Sequence, residues 1–585
     1  MTLSSRLEPF LGCHKRWLIW CGRKAFGRGS IGFVILLVVV SSIGNAFWLQ
    51  RHFLTIPPPW DQGYYLYMGV RYWQAFSEHG VGAMLREFIR LSPDVAPLFP
   101  LTSLPLYLVF GPSRLATYMT NTLYLLFLLS GVYLLAAFVY GRRAGLLAAF
   151  VMATFTATIN YSRDYLLEFP AAAFATLGMY ALMRSAEFRH RSWCLTFGVL
   201  AGLTVLTKTM TGVFFVGPVL WGIGRSLWQR RFDAAMLTNG LLALSTGALV
   251  AGIWWGPNLR TALGYLLYYG FQEGANPYRG GAAIFTLENV SYYARMLVNH
   301  GTSFPYASLF VAVTLWQVIR LISGRHDGDA KATGNRGEEG QLWAWLLIGY
   351  VILTLVPNKG EERFAQPLLP PIAVLLAGAI QRIERPWGRR LLMGLVIAIG
   401  IFNYLGLTFG LPSIPRRLEM PPLAFVSHEY PHYTWVRSKI SATPAVPWRV
   451  ADLLSDLAVM YHKHQAGVEK DGFGGARNRY ANVLVVPDHP QLNASTLRYY
   501  AAVDRLPLQF ARILDGPITA ERLQQYEFIL VKQGGYQGPE FSTRYNDAIQ
   551  ALLLQGEMGF VALPEPFAFP DGAAIIVYVA APLLR

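Results

Sequence analysis

About eleven apolar runs divide this chain, and most are long enough to cross a bilayer as a helix. They fall at 31–49, 115–140, 144–161, 169–186, 194–207, 210–224, 235–256, 303–322, 342–357, 365–381 and 391–411. The pattern predicts a polytopic α-helical membrane protein. Composition agrees: 53% of the residues are hydrophobic and 14% charged, with a mean hydropathy of +0.33. No soluble chain of 585 residues needs so much apolar surface. The runs 194–207 and 210–224 are short and suit a kinked or re-entrant pair. Prolines 97, 100 and 105 interrupt the apolar stretch 97–110, which reads as a juxtamembrane helix lying on the bilayer.

Charge sets the expected sidedness. Basic residues cluster at 6–28, 142–143, 184–191, 225–231, 320–336 and 382–390. An eleven-span chain with its N-terminus inside puts all of these loops in the cytoplasm, as the positive-inside rule requires. The net charge of +16 therefore reads as membrane flanks, and nucleic acid is not an expected partner. The expected organisation is a cytoplasmic basic arm over 1–30 and a transmembrane catalytic domain over 31–411. Its first outer loop spans 50–114, and an extracytoplasmic α/β domain occupies 412–585. The run 31–49 resembles a signal sequence, but no small-x-small site precedes Arg51, so it is expected to stay as the first helix. The stretch 325–340, rich in Gly, Asp and Lys, reads as a flexible cytoplasmic linker. Beyond Pro412-Ser413-Ile414-Pro415 the apolar runs stop. A helix-like 448–464 then precedes strand-like 482–486, 528–531 and 574–579. Cys13, Cys21 and Cys194 all lie outside that tail and imply no disulfide framework.

Three polar groups lie at the ends of runs on the predicted outer side. Asp61 and Tyr64 follow the triple proline 57–59, with Glu78, Glu87 and Asp94 later in the same loop. Arg163, Asp164 and Glu168 precede Pro170, and Lys359 and Arg363 precede Gln366-Pro367. Lys208 separates the two short runs. Charge this close to a bilayer is expensive and usually functional. Glycosyl transfer from a lipid phosphate needs such a set. A carboxylate base deprotonates the acceptor hydroxyl, and cations stabilise the departing phosphate. A second carboxylate can orient the base, bind sugar hydroxyls or hold a metal. Pro170 places Glu168 near a helix N-terminus, where the dipole favours an ionised carboxylate.

Each residue also has a plainer reading. Asp61 can be a solvated turn residue, Glu168 a helix cap, and Asp164 the ion-pair partner of Arg163. Lys208, Lys359 and Arg363 can be interfacial anchors. His300 alone more often serves structure than ligation, and no metal-ligand spacing appears, so a divalent metal is left open as a cofactor. Asn493-Ala494-Ser495 matches a glycosylation acceptor, a triplet that arises often by chance.

The motifs resemble those of the GT-C superfamily of membrane glycosyltransferases, above all the branch of protein O-mannosyltransferases and aminoarabinose transferases. The resemblance rests on Asp61…Tyr64 after the first run and on Ala96-Pro97-Leu98-Phe99-Pro100-Leu101…Phe110-Gly111. It rests equally on Ser162-Arg163-Asp164-Tyr165-Leu166-Leu167-Glu168-Phe169-Pro170 and on Lys359…Arg363-Phe364…Leu368-Leu369-Pro370. It implies a GT-C fold and a polyprenyl-phosphate sugar donor. The acceptor would be a lipid, glycan or protein, met at the outer face of the inner (plasma) membrane. It implies Asp61 as the base, Glu168 or Asp164 as the second acid, and Arg163, Tyr64, Lys359 and Arg363 as substrate contacts, while Lys208, from its place between the short runs, is expected either to reach lipid phosphate or to mark the interface. Many relatives carry two adjacent acids where this chain has Asp61-Gln62, and the lysine of aminoarabinose transferases is missing near Asp94-Val95-Ala96. A secondary transporter would show internal repeats and mid-span acids. A lipid-linked glycan polymerase or ligase would centre on an Arg/His-rich outer loop. Nothing in the tail carries a catalytic pattern.

Overall fold

The structure is a computed structural model describing residues 28–278, 284–323, 336–359, 362–409, 447–470, 480–513, 516–556 and 559–584. The basic arm up to residue 27, most of the linker 325–340, Glu361 and the composition break at 412–415 lie outside these residues. The labelled helices are α1 (Arg28–His52), α2 (Trp60–Arg90), α3 (Asn121–Tyr140), α4 (Glu168–Arg184), α5 (Arg191–Thr207) and α6 (Ala234–Phe271). They continue with α7 (Arg336–Leu355), α8 (Leu369–Gln381), α9 (Pro386–Phe409), α10 (Val450–Lys470) and α11 (Ala494–Val503).

Among the described residues six helices are long and apolar enough to cross a membrane, or up to seven if Leu287–Thr302 and Phe304–Arg320, bent by 116°, form one span. The expected count of about eleven is therefore not confirmed. The runs at 144–161, 169–186, 194–207 and 342–357 are helical but outside that set. The first is broken into Arg142–Thr154 and Thr156–Tyr161, and α4 and α5 have 17 residues each. The broken pair expected around Lys208 takes the form of α5, a 3₁₀ turn Thr209–Phe215 and the helix Val216–Trp228.

Burial separates interior from lipid-facing helices. The span Arg363–Gln381 has 89% of its apolar window buried, whereas Ala234–Phe271 has 11%. On α6, Leu244 and Leu249 are 69% and 76% exposed, an apolar face suited to lipid.

Two expected loops are largely helix. Residues 50–114 hold α2, 31 residues long and bent where Gly80 takes φ 76°, followed by the short helices Leu98–Leu101 and Leu104–Phe110. The segment 257–302, a second outer loop by its place between the apolar runs 235–256 and 303–322, begins inside α6, which runs 38 residues and passes through Pro257. Periodicity alone stops a helix at proline. Here side chains beside it hold the helix in place: Trp254 Nε1 donates to Ser92 O at 3.0 Å and Asn258 Nδ2 to Ile89 O at 2.8 Å, both at the end of α2.

The C-terminal part forms a sheet in the order β2-β1-β3-β6-β4, with β5 paired to β6. The strands are β1 (Ala481–Val485), β2 (Leu508–Ala511), β3 (Phe528–Gln533), β4 (Phe560–Ala562), β5 (Phe567–Ala568) and β6 (Ala574–Ala580). β1 is parallel to both β2 and β3, and β6 is antiparallel to β3. Period-two alternation makes both faces apolar. Val483, Val485 and Leu530 pack under Leu453, Leu457 and Leu497, while Leu484, Ile529 and Val531 pack on Ile549 and Leu553.

Helix α11 docks this domain on α2. Thr496 Oγ1 donates to Pro58 O at 2.8 Å, Gln74 Nε2 to Ala502 O at 2.6 Å, and Arg505 pairs with Glu78 at 2.8 Å. Gly63 sits at the crossing, where an added Cβ would lie 3.0 Å from Thr496 backbone atoms.

Within the sheet domain His489 is buried against Trp448, with Nε2 3.5 Å from Asp571 and Nδ1 accepting from Gln491 N. Lys532, itself buried, pairs with the same Asp571 at 2.8 Å. Burial, then the Lys532 charge, lowers the His489 imidazole to about 4, against the partial opposition of Asp571. The unfolded chain therefore binds a proton between pH 6.5 and about 4 that the folded chain refuses, so stability falls as pH drops through that window. In thermal melts of the full chain at pH 7 and pH 4.5, His489→Gln should show a smaller loss on acidification than wild type. An equal loss would remove His489 as the source.

Candidate functional site

A cavity of about 460 Å³ opens between the membrane helices and the sheet domain, lined from both sides. Asp61 occupies the first turn of α2 and Glu168 the first turn of α4, each where the helix dipole favours negative charge. Lys208 is the extended residue between α5 and the 3₁₀ turn, and Arg363 stands in the 3₁₀ turn Glu362–Leu368 ahead of α8. These four charges form one chain. Arg363 NH1 lies 3.0 Å from Asp61 Oδ2 and its Nε 3.4 Å from Glu168 Oε1, and Lys208 Nζ holds the same Oε1. Phe364 packs below both cations, its ring 4.4 Å from Lys208 Nζ and 5.5 Å from the Arg363 guanidinium carbon.

Tyr65, Asp94, Tyr265, Tyr269, Tyr278 and Trp60 complete much of the wall. Tyr65 stands one turn after Asp61 on the same face of α2, a placement readable only once 60–90 is taken as a helix. Tyr265 and Tyr269 arrive on the part of α6 beyond Pro257. Trp60 adopts φ 29°, in the left-handed region that bulky residues avoid, and its Nε1 donates to Asp488 O at 3.0 Å.

The structure therefore brings together Asp61, Glu168, Lys208 and Arg363. Four other residues singled out from the sequence lie elsewhere. Arg163 is buried behind the cavity wall, donating to Asn45 Oδ1 at 2.8 Å and Leu407 O at 3.0 Å, where it ties α1 to α9. Asp164 is equally buried and accepts from Gln62 Nε2 at 3.1 Å, so its carboxylate serves packing and not the cavity. Tyr64 turns away from Asp61 towards Ser92 and Asp94, and burial pushes its phenol up to about 12. Lys359 folds back on the end of α7, donating to Thr354 O at 2.7 Å and Leu353 O at 3.4 Å, and burial lowers its ammonium to about 8. It satisfies carbonyls that a helix C-terminus leaves open.

Gln62 explains why a second acid is missing beside Asp61. Its amide is fully buried, donating to Asp164 and accepting from Tyr118 OH at 2.8 Å. An acid there would point at another carboxylate, away from the cavity. Among the described residues no group of three or more His, Cys, Asp or Glu side chains is placed to hold a metal ion.

Comparison with known proteins bears on the fold. Residues 103–258 match the family "Dolichyl-phosphate-mannose-protein mannosyltransferase". The chain is similar to ArnT from Cupriavidus metallidurans in the apo state, with a TM-score of 0.59, 13% identity, and coverage of 94% of this chain and 98% of that one. Against ArnT bound to undecaprenyl phosphate the TM-score is 0.54 at 14% identity, covering 94% and 99%. Against the arabinofuranosyltransferase AftD from mycobacteria it is 0.52 at 14% identity, covering 95% of this chain and 40% of that one. None of the curated proteins matches the chain. The fold is that shared with ArnT and AftD.

Gln62→Glu should destabilise the protein by on the order of 3 kcal/mol, because it buries a second carboxylate against Asp164. Thermal melts of the detergent-solubilised chain check this, and an unchanged midpoint would contradict the buried hydrogen-bond pair.

Proposed function

We propose that the protein is an integral-membrane glycosyltransferase that moves a sugar from a polyprenyl-phosphate donor to an acceptor hydroxyl on the extracytoplasmic face. The observation that carries this reading is the charge chain Asp61–Arg363–Glu168–Lys208, set in a cavity between apolar helices and the sheet domain. Asp61 takes the proton of the acceptor hydroxyl. The hydroxyl oxygen bonds to the anomeric carbon as the bond from that carbon to the phosphate oxygen breaks, so a single displacement inverts the anomeric centre. The lipid phosphate leaves with the electron pair, and Lys208 and Arg363 stabilise its charge. Glu168 holds both cations in place.

The chain's likeness to ArnT bound to undecaprenyl phosphate supports the donor class, and the match over 103–258 supports the reaction class. The acids stand at helix N-termini, which weighs against a transporter's mid-span coupling sites. With the sheet domain on the extracytoplasmic side and the N-terminus inside, the cavity faces the compartment where basic loops are scarce.

Membranes supplied with radiolabelled polyprenyl-phosphate sugars test the reading. Asp61→Asn, normally inserted, should transfer label at least about a hundredfold more slowly than wild type. Equal transfer by the two would remove Asp61 as the base.

A further inference from the structure

The sheet domain contributes more than a lid. Its residues in the cavity wall lie beyond the C-terminal ends of three mutually parallel strands: Asp488 after β1, Arg512 directly after β2, and Phe541 with Ser542 after β3. Ligands of open α/β sheets bind at this edge. Arg512 NH1 pairs with Asp488 Oδ1 at 2.9 Å and NH2 donates to Ser542 O at 3.3 Å. Asp488 is 5% exposed and its backbone is fixed on both sides, its N–H donating to Gln537 O and its carbonyl accepting from Trp60. Tyr278 and Phe541 pack together beside the pair, ring centroids 5.7 Å apart.

We infer that Asp488 and Arg512 form an acceptor subsite that takes a sugar ring, so that the hydroxyl attacked belongs to a glycan. This rests on the reading of Asp61 as the base. The chemistry fits a polyhydroxylated ring: a carboxylate accepts from neighbouring hydroxyls, a guanidinium fork donates to ring and hydroxyl oxygens, and aromatic faces cover the C–H face. The subsite belongs to the acceptor because it adjoins the base: the backbone of Asp488 is bonded to Trp60, the residue before Asp61. The donor phosphate is left to Lys208 and Arg363.

The test is saturation-transfer NMR on the detergent-solubilised full chain with soluble oligosaccharides containing mannose, glucose, N-acetylglucosamine or arabinose. Binding of undecaprenyl phosphate is measured in parallel, and thermal melts check folding. At least one oligosaccharide should give signal with wild type, reduced at least fivefold in Arg512→Gln and in Asp488→Asn and partly restored in Arg512→Lys. Undecaprenyl phosphate should bind all forms equally. The inference is overturned if no oligosaccharide binds wild type, if the folded variants bind as wild type does, or if Arg512→Gln weakens undecaprenyl phosphate instead. In the radiolabel assay, Arg512→Gln should lose transfer to the acceptor while still releasing label to water. Loss of both would place the donor sugar here and also overturn it. Failure of Asp61→Asn to slow transfer would sink the base assignment and leave the NMR result standing, so the two ideas fail separately.

Discussion

A carboxylate buried beside a membrane cannot remain ionised alone, and Glu168 is such a group. Removing its charge from water costs several kcal/mol, which only close cations offset. Both come from places where a helix breaks. Lys208 is extended, at φ −152° and ψ 116°, because α5 ends there, and Arg363 belongs to a 3₁₀ turn before α8 resumes the α-helix. A regular helix would direct these side chains along its own flank. The breaks let them converge on one oxygen, and Arg363 then reaches Asp61, 302 positions away in sequence. Charge neutralisation in a low dielectric thus holds α2, α4, α5 and α8 in one register.

The sheet domain meets this cluster through α2. Close approach of α11 requires Gly63, two residues from Asp61, and the strained backbone of Trp60 is held by its indole bond to Asp488. Strain of this kind persists only where the surroundings over-determine it. Here the surroundings are the triple proline on one side and a separate domain on the other. The position of Asp61 is therefore set jointly by the membrane helices and by a domain more than 400 residues further along the chain.

How far the site could be read from the sequence follows from the same physics. Asp61, Glu168, Lys208 and Arg363 were legible because charge beside apolar runs is costly and calls for an explanation. Arg163 and Asp164 carry the same signal and sit in the same motif, yet they spend their hydrogen bonds inside the helix packing. Motif position does not reveal which way a side chain turns. Tyr64 enters through the spacing Asp61…Tyr64, and only the helical phase of α2 shows that Tyr65, four residues on, shares the face of Asp61. Lys359 illustrates another gap, since a cation that caps a helix and one that binds phosphate look alike until the helix end is located. In the fold, the strands β1, β3 and β6 were legible as short continuous apolar runs, whereas β2, β4 and β5, of two to four residues, left too little pattern. Asp488 and Arg512 carried no local signal at all, because only the parallel pairing of β1 and β2 puts them side by side.

Exposure within the charge chain separates roles that sequence cannot. The Glu168 side chain is 4% exposed, Arg363 16% and Lys208 22%, against 45% for Asp61. A base must be reached by its substrate, and a group that sets the field need not be. Glu168 is nearly enclosed and shares its Oε1 between Lys208 and Arg363, so it fixes the two cations relative to each other. Asp61 has the opposite character: it meets Arg363 through Oδ2 and leaves far more of its surface open to the cavity. Two carboxylates bound to one guanidinium thus differ in how far each can be reached, and their burial, not their residue type, makes the difference.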